Sequence, residues 1–208
     1  MTLRPAWWLW GLAAAGAALL GFWVAAQVDS SAPQLASGTW FPAPRSIGAL
    51  ALTAHTGQAL TSADLTGHPT LVFFGFTHCP DVCPTTLAEL AQVKKQVKKK
   101  AALADLKVLF VSVDPARDTP AALAAYVHAF DPDFIGATAD ATEIAKIAQR
   151  FGVAVARVDL PGGDYMMDHS AAVFLLNRRA QIVAVFTPPY SVAALATDLQ
   201  RIAPRLHG

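Results

Sequence analysis

Apolar and polar residues follow two different patterns along the chain. Between residues 6 and 28 no charged residue occurs. Beyond residue 44, short runs of β-branched and aromatic residues alternate with stretches whose apolar residues recur every three or four positions. Runs of the first kind are typical of buried strands, and stretches of the second kind are typical of amphipathic helices. The pattern therefore predicts an apolar N-terminal segment followed by one α/β domain.

Strands and helices are predicted to alternate through most of this domain. The predicted strands are 47–52, 70–76, 106–113, a short one at 134–135, 153–158, 171–176 and 182–186, and the predicted helices are a short one ending at 65, then 84–104, 120–130, 141–151 and one from 191 to 206. Strands 70–76 and 106–113 are almost entirely apolar, as expected of parallel strands covered on both faces. Such strands, followed by a hairpin and a final helix, predict an α/β thioredoxin-like sandwich around a central mixed sheet.

Two helix starts are marked by proline. Thr119 precedes Pro120, and Cys83 precedes Pro84. Because proline suits the first helical position, Thr119 and Cys83 are predicted to be the caps of their helices. A cysteine at a helix N-terminus faces unpaired N–H groups and the positive end of the dipole, which favours its thiolate.

The apolar segment has the features of a membrane anchor. As a helix its roughly 23 residues would extend about 34 Å, enough to cross a bilayer. Tryptophans occur near both of its ends, as at membrane interfaces, and they are Trp7, Trp8, Trp10 and Trp23. We predict an N-terminal transmembrane helix within an anchor at 1–29, a tether at 30–44 and a folded domain at 45–208. The alternative is a signal peptide cleaved after Val24-Ala25-Ala26.

Charge sets the orientation of the anchor and limits the partners. Arg4 precedes the segment and Asp29 follows it, so the positive-inside rule predicts a cytoplasmic N-terminus and an exported domain. In a bacterium this means a single-pass protein of the inner membrane with its domain in the periplasm, where disulfides persist. The formal net charge of +1 offers no broad basic surface for nucleic acid.

The two cysteines of the chain, Cys79 and Cys83, are separated by three residues. They can form a disulfide with each other, act as a reactive dithiol, or hold a soft metal ion such as Cu(I) or Zn(II). The three-residue spacer differs from the two-residue spacer of thioredoxin-like redox pairs. Spacing alone leaves all three uses open.

Three sequence blocks resemble those of the Sco/SenC copper chaperones. The blocks are PTLVFFGFTHCPDVCPTTL at 69–87, VSVDPARDTP at 111–120 and DYMMDHSA at 164–171. The resemblance implies one copper ion, as Cu(I) or Cu(II), held by Cys79, Cys83 and His169. It further implies delivery of copper to the copper-binding subunit of cytochrome c oxidase, with another periplasmic copper chaperone as a candidate donor. Delivery is not turnover of a substrate, so we do not expect an enzyme.

The resemblance also implies an alternative function, because some members of the family act as thiol reductants. In that case Cys79 and Cys83 form a redox disulfide and keep cysteines of the oxidase subunit, or of another exported protein, reduced. A peroxidase of the peroxiredoxin type is a third and weaker hypothesis, based on Thr77 near Cys79.

Residues next to the expected ligands receive separate predictions. His169 is expected in a loop after Gly162-Gly163, with Asp168 either as an acceptor that orients its ring or as an ordinary loop carboxylate. The neighbouring methionines, Met166 and Met167, are expected to pack against apolar residues rather than to bind metal.

Two further predictions concern the neighbourhood of the cysteines. His78 is expected to point away from Cys79. The loop that contains Asp114, Arg117 and Asp118 is predicted to be a turn held by Asp–Arg hydrogen bonding, with a partner-binding surface as the alternative.

Overall fold

The computed structural model describes residue 11, residues 14–19 and residues 32–207. Residues 14–19 are helical. Most of the predicted anchor at 1–29 lies outside the described residues, and among those described no helix has the length and apolarity needed to span a membrane. Residues 33–208 fold together as one unit, which contains all the elements below.

Eight of the ten described strands form one mixed sheet. The strands are β1 (Gly38–Ser46), β2 (Ala51–Ala54), β3 (Ala59–Thr61), β4 (Thr70–Gly75), β5 (Lys107–Ser112), β6 (Ile135–Thr138), β7 (Val155–Asp159), β8 (Tyr165–His169), β9 (Val173–Leu176) and β10 (Gln181–Phe186). Their order is β1-β10-β9-β4-β5-β6-β2-β3, while β7 and β8 form a separate hairpin. Only the β4–β5 and β5–β6 pairs of this sheet are parallel.

Four α-helices accompany the sheet. They are α1 (Val82–Val97), α2 (Pro120–His128), α3 (Ala141–Phe151) and α4 (Val192–Ile202), and short 3-10 helices lie at Ala63–Leu65, Ala101–Leu103 and Ala203–Arg205. On one face of β4 the Phe73 ring lies 6.1 Å from that of Phe110, and on the other face Phe74 lies 5.1 Å from Phe151 of α3. Successive side chains of a strand point to opposite faces, so the apolar run 70–76 is covered on both sides. This confirms the predicted α/β sandwich with a central mixed sheet.

Helix ends governed by local chemistry lie where the sequence predicts them. Helix α2 begins after Thr119, whose hydroxyl accepts the backbone N–H of Ala122 at 3.2 Å. Helix α3 ends at Gly152, which has a φ of 74°. A positive φ is easily adopted by glycine, so the predicted stop is confirmed.

Helix α1 differs from its prediction at both ends. Its cap is Asp81 and it begins at Val82, so Cys83 lies inside the first turn rather than at the cap. The first four N–H groups of a helix lack intrahelical acceptors, so Pro84 costs no bond in this turn. The helix ends at Val97 instead of 104, because the exposed lysines at 98–100 contribute no apolar side chain to the core.

The predicted tether, 30–44, overlaps a strand. Strand β1 begins at Gly38 and pairs antiparallel with β10, so the folded unit extends well before residue 45. A Cβ at Gly38 would lie 2.6 Å from the carbonyl oxygen of Val185, so this close strand approach requires glycine. Just before it, the backbone N–H and hydroxyl of Ser37 donate to the buried carboxylate of Asp198.

Two other predictions of secondary structure are wrong in detail. The segment before His169, expected to be a loop, forms strand β8, which pairs with β7 across a turn at Gly162-Gly163. The strand predicted at 47–52 lies at Ala51–Ala54 and pairs with β3, which was not predicted. Both regions are hairpins with exposed residues, where the hydrophobic pattern is weak.

Candidate metal centre

The two cysteines lie just beyond the carboxyl end of β4. Cys83 is fully buried in the first turn of α1, while Cys79 is partly exposed in the preceding loop. The backbone N–H of Cys83 lies 3.5 Å from Cys79 Sγ. Helix α1 comes so close to β4 that a Cβ at Gly75 would lie 2.8 Å from Cys83 Sγ. The α1 N-terminus therefore places both sulfurs at one edge of the sheet, where α/β proteins commonly bind ligands.

Asp118 holds the loop that leads to Cys79. Its buried carboxylate accepts the backbone N–H of Thr77 at 3.0 Å and the Thr77 hydroxyl at 2.6 Å. It also accepts the Ser112 hydroxyl at the end of β5, at 2.5 Å. Thr77, which suggested a peroxidase, is therefore engaged in positioning this loop.

His169 ends strand β8 and reaches over the cysteines. Its Nε2 lies 3.3 Å from Cys83 Sγ, and the two sulfurs and this nitrogen all lie within 4.8 Å of one another. The rings of Phe73 and Phe76 meet the imidazole edge-on, with centroids at 6.0 Å and 5.9 Å. The structure thus brings together the three predicted ligands, although His169 lies on a strand rather than in a loop.

The hydrogen bond at the other ring nitrogen determines the tautomer of His169. Nδ1 lies 3.2 Å from the carbonyl oxygen of Ser170. A carbonyl oxygen only accepts, so Nδ1 carries the proton and Nε2 presents a lone pair toward the sulfurs. This is the tautomer that a metal ligand at Nε2 requires.

Asp168 does not take the predicted orienting position, because the described acceptor for the ring is the Ser170 carbonyl. Asp168 is exposed, and it precedes His169 on β8, so its side chain points to the opposite face of the hairpin. Burial lowers the pKa of His169 below its ordinary value of 6.5, so the neutral ring is favoured. The hydrogen bond to Ser170 and the charge of Asp168 act in the opposite direction but have smaller effects.

Burial also governs Cys83. Removal from water raises the pKa of its thiol well above the ordinary value of 9.0. The prediction that the helix N-terminus favours a Cys83 thiolate is therefore wrong for the metal-free protein, because desolvation outweighs the helix dipole. Binding of a metal at this sulfur must release a proton.

The size and chemistry of the cluster fit a single soft ion. With bonds of about 2.3 Å to sulfur, three ligands in a triangle lie about 4 Å apart, close to the separations found here. Two sulfurs and an imidazole nitrogen suit Cu(I), and an added oxygen or nitrogen ligand would suit Cu(II). The arrangement can therefore hold one ion with only small movements of its ligands.

The remaining predictions near the site are confirmed. Met166 and Met167 are partly buried against the core. The His78 ring points toward Thr77, with Nδ1 3.0 Å from Thr77 Oγ1, and does not join the three-ligand cluster. Arg117 Nε donates to Asp114 at 2.5 Å, as expected for a turn held by an Asp–Arg pair.

Sequence reasoning did not identify two contributions to the site. The Ser170 carbonyl carries no sequence signal, because every residue has one. The role of Asp118 as acceptor for the loop before Cys79 could have been suspected only from the polar residues at the ends of two neighbouring parallel strands.

These observations define a thioredoxin-like domain with a Cys₂His metal-binding cluster at its sheet edge. The SCO1/SenC family model matches residues 42–204, which include all three ligands. The chain belongs to the SCO1/SenC family.

Individual relatives agree with this assignment. The mitochondrial SCO2 homolog of Bos taurus is 37% identical over 88% of this chain, which spans 69% of that protein. The mitochondrial SCO1 homolog of Homo sapiens is 38% identical over 67% of this chain, which spans only 46% of it. The structure of Bradyrhizobium japonicum ScoI with copper bound is similar at a TM-score of 0.67 and 42% identity, covering 74% of this chain and 97% of that one.

Proposed function

We propose that this protein is a membrane-anchored copper chaperone that binds one copper ion through Cys79, Cys83 and His169. Its proposed recipient is the copper-binding subunit of cytochrome c oxidase, as the family implies. The observation that carries the proposal is the convergence of the three ligand atoms within 4.8 Å. The copper-bound ScoI relative supports the choice of copper.

The differing exposure of the ligands suits transfer by ligand exchange. Cys83 is fully buried, whereas Cys79 and His169 are both partly exposed, and the His169 ring packs against Phe73 and Phe76. An incoming ligand of the recipient would approach on the Cys79 side and replace the ligands one at a time. A three-coordinate copper ion has room for an additional ligand from the recipient. The ion leaves chemically unchanged, so no enzyme activity is required.

The apolar segment between residues 6 and 28 supports anchoring. We propose that it holds the protein in the bacterial inner membrane with its N-terminus in the cytoplasm and the folded domain in the periplasm. Anchoring would confine chaperone and oxidase to one membrane face and so raise their effective concentration. Another periplasmic copper chaperone is the proposed donor.

Competition titration of the reduced full-length protein with Cu(I) tests the proposal. We expect one ion per chain, and an affinity at least about 100-fold lower in His169→Ala, because loss of even a residue behind a ligand costs 10–100-fold. His207→Ala is the matched control, since it removes an exposed imidazole that does not belong to the three-ligand cluster. Unchanged affinity in His169→Ala would refute the ligand set.

A thiol–disulfide oxidoreductase is the second candidate, favoured by the arrangement of the sulfurs. Cys79 Sγ is partly exposed beside an N–H of the α1 N-terminus, and Cys83 lies buried behind it. The Cys79 thiolate would attack a substrate disulfide to form a mixed disulfide and expel one substrate thiolate, which takes up a proton. Cys83, on losing its proton, would displace the second, leaving a reduced substrate dithiol and an oxidised Cys79–Cys83 pair.

The two candidates make different demands on His169. Copper delivery needs the imidazole, whereas thiol exchange needs only the cysteines. Oxidase assembly measured in cells that carry His169→Ala or Cys79→Ser separates them. Equal defects support copper delivery, and a defect confined to Cys79→Ser supports the redox function.

A further inference from the structure

The hairpin of β7 and β8 joins the domain by its chain ends, at Val155 and His169, and its turn lies at the opposite end, next to Tyr165. Among the described strands, β7 and β8 form a ladder only with each other. Side-chain contacts must therefore hold the distal end of the hairpin, beside its turn. One set of these contacts lies at Tyr165, the first residue of β8, four residues before His169.

The Tyr165 hydroxyl donates to the carboxylate of Asp114 at 2.8 Å. Asp114 is only 2% exposed, and its other oxygen accepts Arg117 Nε at 2.5 Å. The acceptor is thus fixed by the turn that follows β5. A hydrogen bond to a fixed, charged and buried acceptor is among the stronger ones in proteins.

The Tyr165 ring is also stacked between two guanidinium groups. Arg117 Cζ lies 3.7 Å from the ring centroid and Arg157 Cζ lies 3.8 Å from it. Arg117 also reaches the Phe76 ring, at 5.9 Å, and that ring contacts the imidazole of His169. The attachment of the hairpin and the wall of the metal site therefore share one arginine.

The turn at residues 114–118 contacts both the loop that leads to Cys79 and the hairpin that carries His169. Asp118 binds the loop that leads to Cys79, through Thr77. Asp114, four residues earlier in the same turn, binds the hairpin that carries His169 through Tyr165. Residues 114–118 therefore set the distance between the cysteines and the imidazole.

We propose that Tyr165 is a positioning residue, whose bond to Asp114 keeps the hairpin closed with His169 over the cysteines and slows the release of copper. This inference rests on the proposed function, since it assigns His169 to copper. A hairpin released at Tyr165 would swing about its base at Val155 and His169, which would turn the His169 ring away from the sulfurs without unfolding the main sheet. Loss of the Tyr165 hydroxyl raises the open population, while a phenylalanine ring keeps the stacking between the two arginines.

Hydrogen exchange of the reduced, metal-free full-length protein measures this population directly. Exchange through local opening is proportional to the opening equilibrium. In Tyr165→Phe we expect exchange in β7 and β8 to be roughly tenfold faster, the worth of one hydrogen bond to a charged group. Exchange in β4 and β5 should not change, because the core stays folded.

Tyr126→Phe is the matched control. The Tyr126 hydroxyl is buried and has no hydrogen-bond partner among the described residues, and its ring packs on Phe110 of β5. Its removal should leave exchange in β7 and β8 unchanged. Unchanged exchange of the hairpin in Tyr165→Phe, or an equal increase in β4 and β5, would overturn the proposal.

Copper release provides the second measurement. Transfer of Cu(I) from loaded Tyr165→Phe to an excess of a chelator should be faster than from the wild type. A wild-type transfer rate in Tyr165→Phe contradicts the positioning role. If His169→Ala binds Cu(I) with wild-type affinity, the proposed function itself fails. If only Tyr165→Phe is without effect, the positioning inference alone fails.

Discussion

Gly75→Ala tests whether the packing between β4 and α1 sets the position of Cys83. A Cβ at Gly75 would lie 2.6 Å from Phe110 Cε2 and 2.8 Å from Cys83 Sγ. The backbone of Gly75 is not in the left-handed region, so an alanine would be strained only by lack of space. Both neighbours are fully buried, so neither can move without disturbing the core.

The size of the effect follows from these distances. Overpacking of a core by one methyl group costs about 1–3 kcal/mol. For a domain of this size, that lowers Tm by about 2–12 °C. Restoring an ordinary contact of 3.4 Å to the sulfur requires a shift of 0.6 Å (3.4 − 2.8). A displacement of this size misplaces a metal ligand, so Cu(I) affinity should fall together with stability.

Gly136→Ala on β6 is the matched control. Its Cβ would lie 3.1 Å from Leu123 Cβ and 3.2 Å from Val127 Cγ1, both on α2, and it would not contact Cys83. Thermal denaturation should show the larger loss of stability in Gly75→Ala, whose contacts are the tighter ones, and competition titration should show weaker Cu(I) binding only in Gly75→Ala. Wild-type affinity in Gly75→Ala, or an equal loss in Gly136→Ala, would refute the idea that Gly75 makes room for the ligand.

Two further predictions concern buried polar groups. Asp118→Ala removes the acceptor of Thr77 and Ser112, which should lower the free energy of unfolding by about 3 kcal/mol in urea denaturation and weaken Cu(I) binding. An unchanged unfolding midpoint would contradict this. Burial lowers the pKa of His169 below 6.5, so the unfolded chain protonates this imidazole more readily than the folded protein does. Burial also raises the pKa of the Cys83 thiol above 9.0, so the unfolded chain deprotonates this thiol more readily. Stability of the reduced protein should therefore fall below pH 6.5 and above pH 9.0, with a smaller acid loss in His169→Ala than in wild type.

Elements whose signals are local could be predicted from the sequence. The buried run of β4 needs both faces covered, and the Thr119 cap and the Gly152 stop depend on the chemistry of one or two residues. The ligand residues could be named because Cys79 and Cys83 are adjacent and the block around His169 resembles a known family. In each case the determining information lies within a few consecutive residues.

Elements that depend on distant partners could not be predicted in the same way. Strand β1 is a strand because β10 offers an unpaired edge, and β8 is a strand because β7 pairs with it. Helix α1 begins at Val82, two residues before the Pro84 signal, and its close approach to Gly75 is not visible in the local sequence. Likewise, the tautomer of His169 depends on a backbone carbonyl, which any residue at position 170 would supply.

The unequal burial of the two cysteines follows from their positions relative to α1, and it suits reversible binding of a cation. A Cu(I) ion with two thiolates would carry one net negative charge, which is costly to bury. Cys83, inside the first turn, is desolvated and stays protonated in the absence of metal. Cys79, just outside that turn, is partly exposed, and its Sγ accepts the backbone N–H of Cys83 at 3.5 Å. The excess charge of a loaded site is therefore best stabilised on the Cys79 side, by water and by the positive end of the helix. That is also the side open to a recipient. The partial exposure of Cys79 therefore both stabilises the charge of the loaded site and allows copper to be transferred.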